Sequence, residues 1–502
     1  MVVEQPEKTD WNMRREKVFK VADTVHGSIR VKYPVNLIIE TPQFQRLRLL
    51  KQLGVVYLVY PTAGLTRFEH SLGVYHLSLQ FVTFLANEQP ELNITGTDKL
   101  CVAIAGLIHD LGHGPYSHLY DGSFLGKAYN GESPFRHEQG SIMMFDYLLK
   151  ENPEVKEGLD KYLSDEDYIF IKELIDPPAN YVDGNGEWLL KGRPRNKGFL
   201  YDILSNKFDG LDTDKFDYFL RDSRATTVTI RFSKGALDRI HQAAKVLKVE
   251  NGLYRICYAT KVKENLSEAS DSRVALHESV YQHKTVISLE YMFVEMLLAA
   301  DPFLTFKGEE GRAYRLSEAF NDPKAFSRLS DDYIFGLIQN SDDPNLEPAQ
   351  EILQKILKRK HYRKVGQLKL SDVEQYEQEK RTLLQFYATN GIKESDVIVK
   401  PATMHRGLGV KRHPIDEIWF YDAKSPVEPT RPHQSEQVTN PPAGHVILYS
   451  FSKKPELNET LREIFRKYKN NFQSRFDESQ KASKHSLHWD NNENCQKVAR
   501  VL

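Results

Sequence analysis

The chain has 502 residues, 40% of them apolar, and a formal net charge of −1. That length supports two or three structural units, and near-neutrality excludes a global field drawing it to nucleic acid or an acidic membrane, so an anion must meet a local basic pocket. Three cysteines at unrelated spacings (Cys101, Cys257, Cys495), no bilayer-spanning apolar run and a polar Met1–Asp10 exclude a disulfide framework, a cysteine zinc cage and a secretory leader, and predict a soluble intracellular protein, in nucleus or cytoplasm.

Residues 1–16 are charged and expected to be mobile, followed by a mainly helical core over 17–300, a smaller α+β lobe over 301–472 and a disordered tail over 473–502. Pro34–Leu53 spaces Leu37, Ile38, Phe44, Leu47 and Leu50 as a helix does, with Gln45, Arg48 and Lys51 on another face; Val55–Tyr60 reads as a short extended run. Phe68–Ala86 is the first long helix, with Arg67 and His70 neighbours three apart, and Thr97 or Asp98 is placed to cap the next. His137–Lys150 and Asp165–Ile175 are amphipathic helices, and Pro, Gly and Asn make 176–198 a loop.

Helix resumes at Phe199–Asn206 and Asp214–Ser223. On the second, Asp214, Tyr218 and Asp222 form a polar stripe that a core-facing helix tolerates only with partners. Asn251-Gly252 marks a hairpin between Val246–Glu250 and Leu253–Tyr258. A long helical region from about Val262 to Leu298 carries Arg273, His277 and Tyr281 every four residues, then Gln282-His283-Lys284. Helices Asp331–Gln339, Pro348–Lys360 and Val373–Tyr387 then alternate with strand-like Asp396–Lys400, Glu417–Tyr421 and His445–Phe451, before a helix at Leu457–Tyr468.

Chemistry concentrates in Cys101–Gly122, CVAIAGLIHDLGHGPYSHLYDG. An apolar helix there ends in His109-Asp110, glycines allow close backbone approach, and His113, His118 and Asp121 follow. Three imidazoles and two carboxylates in so short an apolar-led segment are expensive to place without a charge to gather around. His70, His109, Asp110 and Asp214 rank as candidate metal ligands. Taken singly, His70 reads as a hydrogen-bonded core histidine and Asp214 as a first-turn carboxylate; their joint occurrence shifts the balance.

Arg67–Gly73 (RFEHSLG), His109–Pro115 (HDLGHGP) and Asp214-Lys215 together resemble the spaced H…HD…D signature of the HD-domain metal-dependent phosphohydrolases. The stretches TPQFQRLRLLKQLG, RFEHSLGV, HDLGHGPYSH, HEQGSIMMF, KGRP, DTDKFDYFLRD and LHESVYQHK further resemble the deoxynucleoside triphosphate triphosphohydrolases of the animal SAM- and HD-domain family. The similarity runs from about residue 18 to 300, continues weakly to about 470, and leaves the SAM domain expected to be missing.

The resemblance implies an HD-domain helical core and release of a deoxynucleoside and intact triphosphate from a dNTP. It implies one divalent transition metal (iron, zinc or manganese) on His70, His109, Asp110 and Asp214, with Mg2+ accompanying the nucleotide. His113 and His118 would position the α-phosphate and water, and His137, helped by Asp121, would pass a proton to the 5′ oxygen. Arg67, Lys215 and Arg273 match the family's phosphate contacts. Gln52, Asp222 and Tyr281 would read the sugar, His277 and Gln282 would line the base, and Leu53 and Tyr218 would complete the pocket.

Members of that family assemble from dimers into tetramers on binding GTP and dNTP effectors. Gln45, Arg48, Val59, Lys261, Asn265 and His283 match those effector sites; Glu40 replaces a shorter acid, Tyr60 a Phe, and Ser279 a basic residue. These departures predict nucleotide-dependent oligomerisation with altered effector preference. Control of dNTP pools and antiviral defence also belong to what the resemblance implies. Two other readings are a phosphohydrolase for another nucleotide and a nucleic-acid-binding scaffold using Lys355–Lys364; no membrane partner is expected.

Overall fold

The computed structural model describes Trp11 and residues 18–250, 252–432 and 443–475. Most of the expected N-terminal segment and tail, and Asn251 of the hairpin, lie outside the described residues. At both ends the described part differs from expectation: Trp11 is buried, its indole N–H donating to Tyr33 O at 2.9 Å, and residues 473–475 continue a helix that starts at 458.

The body is mainly helical around Arg67–Glu88 and Gly96–Ile108. Thr66 and Glu69 form a capping box that starts the first, and Leu72, Tyr75, Leu77, Phe81 and Leu85 face inward along it. In the second, every residue from Leu100 to Ile108 is buried, each large aliphatic contributing about 1.5–3 kcal/mol. The two helices approach closely at Gly106, where a Cβ would meet Ser78 Oγ at 2.9 Å. The cap of Gly96–Ile108 is Thr95 rather than Thr97 or Asp98. Its hydroxyl accepts Asp98 N–H at 3.0 Å, while the Asp98 carboxylate accepts Thr95 N–H at 2.9 Å.

Other boundaries differ for local reasons. Pro34–Leu53 is not one helix but Val35–Ile39, Pro42–Gln45 and a 3-10 turn at Arg46–Leu49, because Thr41 caps and Pro42 restarts the second. Val55–Tyr60 is not extended: a 3-10 turn spans Gly54–Leu58, where Gly54 at φ +53° and burial of Val55 and Val56 override β propensity. The helix expected at Phe199–Asn206 is a 3-10 segment, Arg195–Asp202. The Val262–Leu298 region is interrupted: Lys263–Leu276 widens into a π turn at His277–Tyr281 before Lys284–Ala300 begins. An antiparallel hairpin, Phe19–Asp23 with Gly27–Val31, was not legible in the charged N-terminal composition.

The chain divides into two units, Met1–His361 with Met404–Gly444, and Tyr362–Thr403 with His445–Leu502. The expected boundary at residue 300 therefore falls inside the first. That unit contains a four-stranded sheet in the order Ser425–Thr430, Phe420–Asp422, Tyr254–Ala259, Ala244–Lys248. The second has Gly444–Ser452 central between Arg363–Leu370 and Val397–His405, with the helix Val373–Thr389 and the helical residues 458–475.

Candidate active site

His109 follows the last turn of the buried Gly96–Ile108 helix, and the chain then runs hard against the start of the His137–Glu151 helix. A Cβ on Gly112 would lie 2.1 Å from Ser141 N, so only glycine permits this approach. Ser141 fixes it, donating to His109 O at 2.5 Å and accepting Gly112 N–H at 2.9 Å. His70 comes from the first turn of Arg67–Glu88, and Asp214 from the first turn of Thr213–Thr226, which Asp212 caps.

These four expected ligands converge. His70 Nε2 lies 3.0 Å from Asp214 Oδ1 and 3.5 Å from Asp110 Oδ2, and His109 Nε2 is 3.5 Å from both Asp110 Oδ1 and Asp214 Oδ1. Ligand atoms of His70, His109 and Asp110 all fall within 4.8 Å of one another. Both rings are turned with Nε2 toward the cluster: His70 Nδ1–H donates to Asp217 Oδ2 at 2.7 Å, and His109 Nδ1–H to Gly106 O at 3.0 Å. His109 Nε2 is buried with no hydrogen-bond partner among the described residues. Burial opposes charge on His70, yet hydrogen bonds to Asp214 and Asp217 outweigh it and raise its pKa to about 10. Burial is likewise outweighed at Asp110 by Arg67 and the neighbouring imidazoles, and at Asp214 by His109 and His70, so both stay ionised well below the usual carboxylate range. The cluster therefore attracts positive charge and offers two imidazoles with two carboxylates. That donor set fits a divalent metal ion.

A second group, His113, His118, Asp121 and His137, borders the first. His113 stacks on His137 with ring centroids 4.1 Å apart and lies 3.2 Å from Asp110 Oδ1; burial, then Arg67 and His137, push its pKa well down. His137 Nδ1–H donates to Asp121 Oδ2 at 2.9 Å. Burial works against protonating His137, but Asp121 and Glu138 prevail and raise its pKa. His118 is 3.7 Å from Asp121 Oδ1 and its side chain is 69% exposed, the most open of the three imidazoles.

Both groups face a cavity of about 640 Å³ lined by all twelve expected substrate residues: Gln52, Leu53, Arg67, His113, His118, Lys215, Tyr218, Asp222, Arg273, His277, Tyr281 and Gln282. Its three cations are aimed by anchors within the protein. Arg67 donates to Asp110 at 2.5 Å and to Ser117 Oγ at 3.0 Å, Lys215 pairs with Asp212 at 2.6 Å, and Arg273 donates to His405 O at 2.6 Å. At another wall Tyr281 O–H donates to Asp222 Oδ2 at 2.6 Å, and burial pushes the Asp222 pKa up to about 7. Gln52 Oε1, Asp222 Oδ1, Arg273 Nε, His277 Nδ1 and Gln282 Oε1 are buried here without a partner among the described residues. Unsatisfied polar atoms collected around one cavity point to a polar ligand that completes them.

The expected effector residues lie apart from this cavity. Gln45 donates to Ile39 O at 2.7 Å and accepts Arg48 Nε–H at 2.8 Å, Arg48 stacks on Phe68 at 3.5 Å, and Glu40 is exposed beside them. Tyr60 packs edge-on to His283 and follows Val59; Asn265 is shared between Arg239 and Glu268, near Lys261 in sequence. Sequence reasoning missed Asp217, Ser117 and His405, which hold site residues in place. Asp217 had a signal, one helical turn after Asp214; His405 had none, being contributed from 132 residues beyond Arg273.

Residues 67–169 match the family described as HD domain. The chain is 41% identical over 421 residues to "Deoxynucleoside triphosphate triphosphohydrolase SAMHD1" of Homo sapiens, covering 81% of this chain and 65% of that protein. It is 40% identical over 413 residues to the Bos taurus protein of the same name (80% and 69%), and 35% identical over 419 residues to the Dictyostelium discoideum homologue (82% and 72%). The chain thus spans about two thirds of the length of these curated relatives. Among the described residues no helix is long and apolar enough to cross a membrane.

Proposed function

Because the chain belongs to the SAMHD1 family of deoxynucleoside triphosphate triphosphohydrolases, we propose that its cavity binds a dNTP and hydrolyses it to a deoxynucleoside and inorganic triphosphate. The observation that carries this reading is the set of buried polar atoms on the cavity walls that have no partner among the described residues, with Arg67, Lys215 and Arg273 on the same walls. Those three cations are the residues for a triphosphate: Arg67 and Arg273 can each bind oxygens at two points, while Lys215 supplies a point charge. Asp222 and Gln52 read the 3′-hydroxyl, and Tyr281, fixed by Asp222, occupies the space that a 2′-hydroxyl would need.

His70, His109, Asp110 and Asp214 would hold a divalent transition metal, whose chemistry here is to acidify water and neutralise phosphate charge. The rest falls to the protein. His113 and His118 orient the α-phosphate and the attacking water; as the new P–O bond forms and the P–O5′ bond breaks, the proton needed by the 5′ oxygen comes from an imidazole. His137 is the proposed donor, oriented by Asp121, which also raises its pKa against the effect of burial. His118, nearer to solvent on the same carboxylate, is the competing donor.

The matching residues Gln45, Arg48, Val59, Lys261, Asn265 and His283 support a regulated enzyme assembling with GTP and dNTP, and the departures at Glu40, Tyr60 and Ser279 support a shifted effector preference; its service to dNTP pools follows from the reaction. The test is incubation with one dNTP, with and without GTP, followed by separation of products and mass measurement. Deoxynucleoside and triphosphate in equal amounts are expected, with His109→Ala losing turnover and bound metal while keeping its helical circular dichroism. Release of pyrophosphate or single phosphates instead would refute the substrate assignment.

A further inference from the structure

Two turns of backbone that touch one another, Gln52–Leu53 and Tyr116–Ser117, form adjoining walls of the cavity. Tyr116 and Ser117 sit at φ +62° and +57°, a left-handed conformation that a tyrosine adopts only when its surroundings impose it. What imposes it comes from a distant segment, Leu329–Asp331, where the chain enters the helix Asp331–Gln339. One oxygen of the buried Asp331 carboxylate accepts Tyr116 N–H at 2.6 Å and the other accepts Lys51 N–H at 2.9 Å, while Tyr116 O–H donates to Asp331 O at 3.1 Å. Next to it Leu329 O accepts Arg46 Nε–H at 2.8 Å, and the same guanidinium donates to His113 O at 2.7 Å. Asp331 opens the helix Asp331–Gln339, where a carboxylate ordinarily serves its own helix. Here both oxygens are spent on other segments.

We propose that Asp331 is a positioning residue for the active site, clamping the Lys51 and Tyr116 backbones together so that Arg67, His113 and His118 face the phosphates correctly. The route to Arg67 is short. Ser117 Oγ donates to Lys51 O at 2.8 Å and accepts Arg67 Nε–H at 3.0 Å, and Arg67 Nη2 donates to Gln52 O at 3.3 Å. Freeing either wall misaims the guanidinium and loosens the loop that joins His113 to His118.

The kinetic arm of the test rests on the triphosphohydrolase reading; the exchange arm does not. Asp331→Ala, Asp331→Asn and, as control, Asp332→Asn are compared in the full chain; Asp332 is exposed and, among the described residues, pairs with the Lys51 ammonium at 3.0 Å. Since misplacement by about 1 Å can cost about 100-fold, kcat for dNTP hydrolysis is expected to fall ~100-fold in Asp331→Ala and ~10-fold in Asp331→Asn, with KM changing far less and the control unchanged. Amide exchange at Lys51 and Tyr116 is expected to be slow in the wild type and at least ~10-fold faster in both Asp331 variants. An Asp331→Ala protein that melts lower yet keeps wild-type kcat overturns the proposal, as does unchanged exchange at both amides. Asp331→Asn retains one acceptor and decides the matter if the alanine variant does not fold. If the wild type splits no dNTP, the substrate reading falls and the exchange result alone decides the clamp.

Discussion

Asp222 is where a functional side chain costs the fold something. Buried beside Tyr281, it has a pKa pushed up to about 7, against about 3.9 in an unfolded chain. A folded value above the unfolded one means that the stability from its proton is full below about pH 4 and drains away as the pH rises to about 7. Asp222→Asn has no proton to lose. It should melt within about a degree of the wild type at about pH 4 and several degrees higher at pH 8.5, by calorimetry, while under the proposed function KM for dNTP rises because the 3′-hydroxyl loses a carboxylate partner. Asp110 is the opposite case: it neutralises Arg67 in a site where both are buried, so Asp110→Ala strands a guanidinium and should destabilise by about 3–5 kcal/mol besides ending turnover. Denaturant titration of Asp110→Ala beside His109→Ala separates the two effects.

At the scale of elements, the site exists because helix ends meet, and glycine decides how closely. The His109-Asp110 turn touches the first turn of the His137–Glu151 helix across Gly112, where a Cβ would lie 2.1 Å from Ser141 N and 2.2 Å from Gly140 C. Gly112→Ala must push the two apart, breaking the bonds of Ser141 to His109 O and Gly112 N–H. Under the proposed function a loss of kcat of about 100-fold is expected, since His137 recedes from the His109-Asp110 turn, with a lower melting temperature. Two π turns serve the same cavity: Leu119–Phe124 carries Asp121, and His277–Tyr281 carries the paired ring and phenol. Each widens a helix locally and re-aims its side chains, as such turns often do at functional sites. Strict four-residue spacing of Arg273, His277 and Tyr281 suggested a common face, but not the widening that opens it.

In the molecule as a whole, the first unit is discontinuous in sequence. Phe420–Asp422 pairs in parallel with Tyr254–Ala259, and His405 O receives Arg273, so a chain ended at His361 lacks both. Such a truncation is expected to be less soluble, to melt at least about 5 °C lower and to bind triphosphate weakly, checked by thermal melts with and without the ligand. Composition gave no hint of this arrangement, because the strand-like and helical runs after residue 300 read as one lobe. What the sequence determined by itself was local and periodic, the buried Gly96–Ile108 helix and the polar stripe of Asp214, Tyr218 and Asp222, to which resemblance to the H…HD…D signature added the grouping of His70, His109, Asp110 and Asp214. Only the tertiary structure decided the partners of those groups. Asp217 behind His70, His405 behind Arg273 and Asp331 behind the Tyr116 loop are hydrogen bonds between segments far apart in the chain, and such bonds leave no period in a sequence for a reader to find.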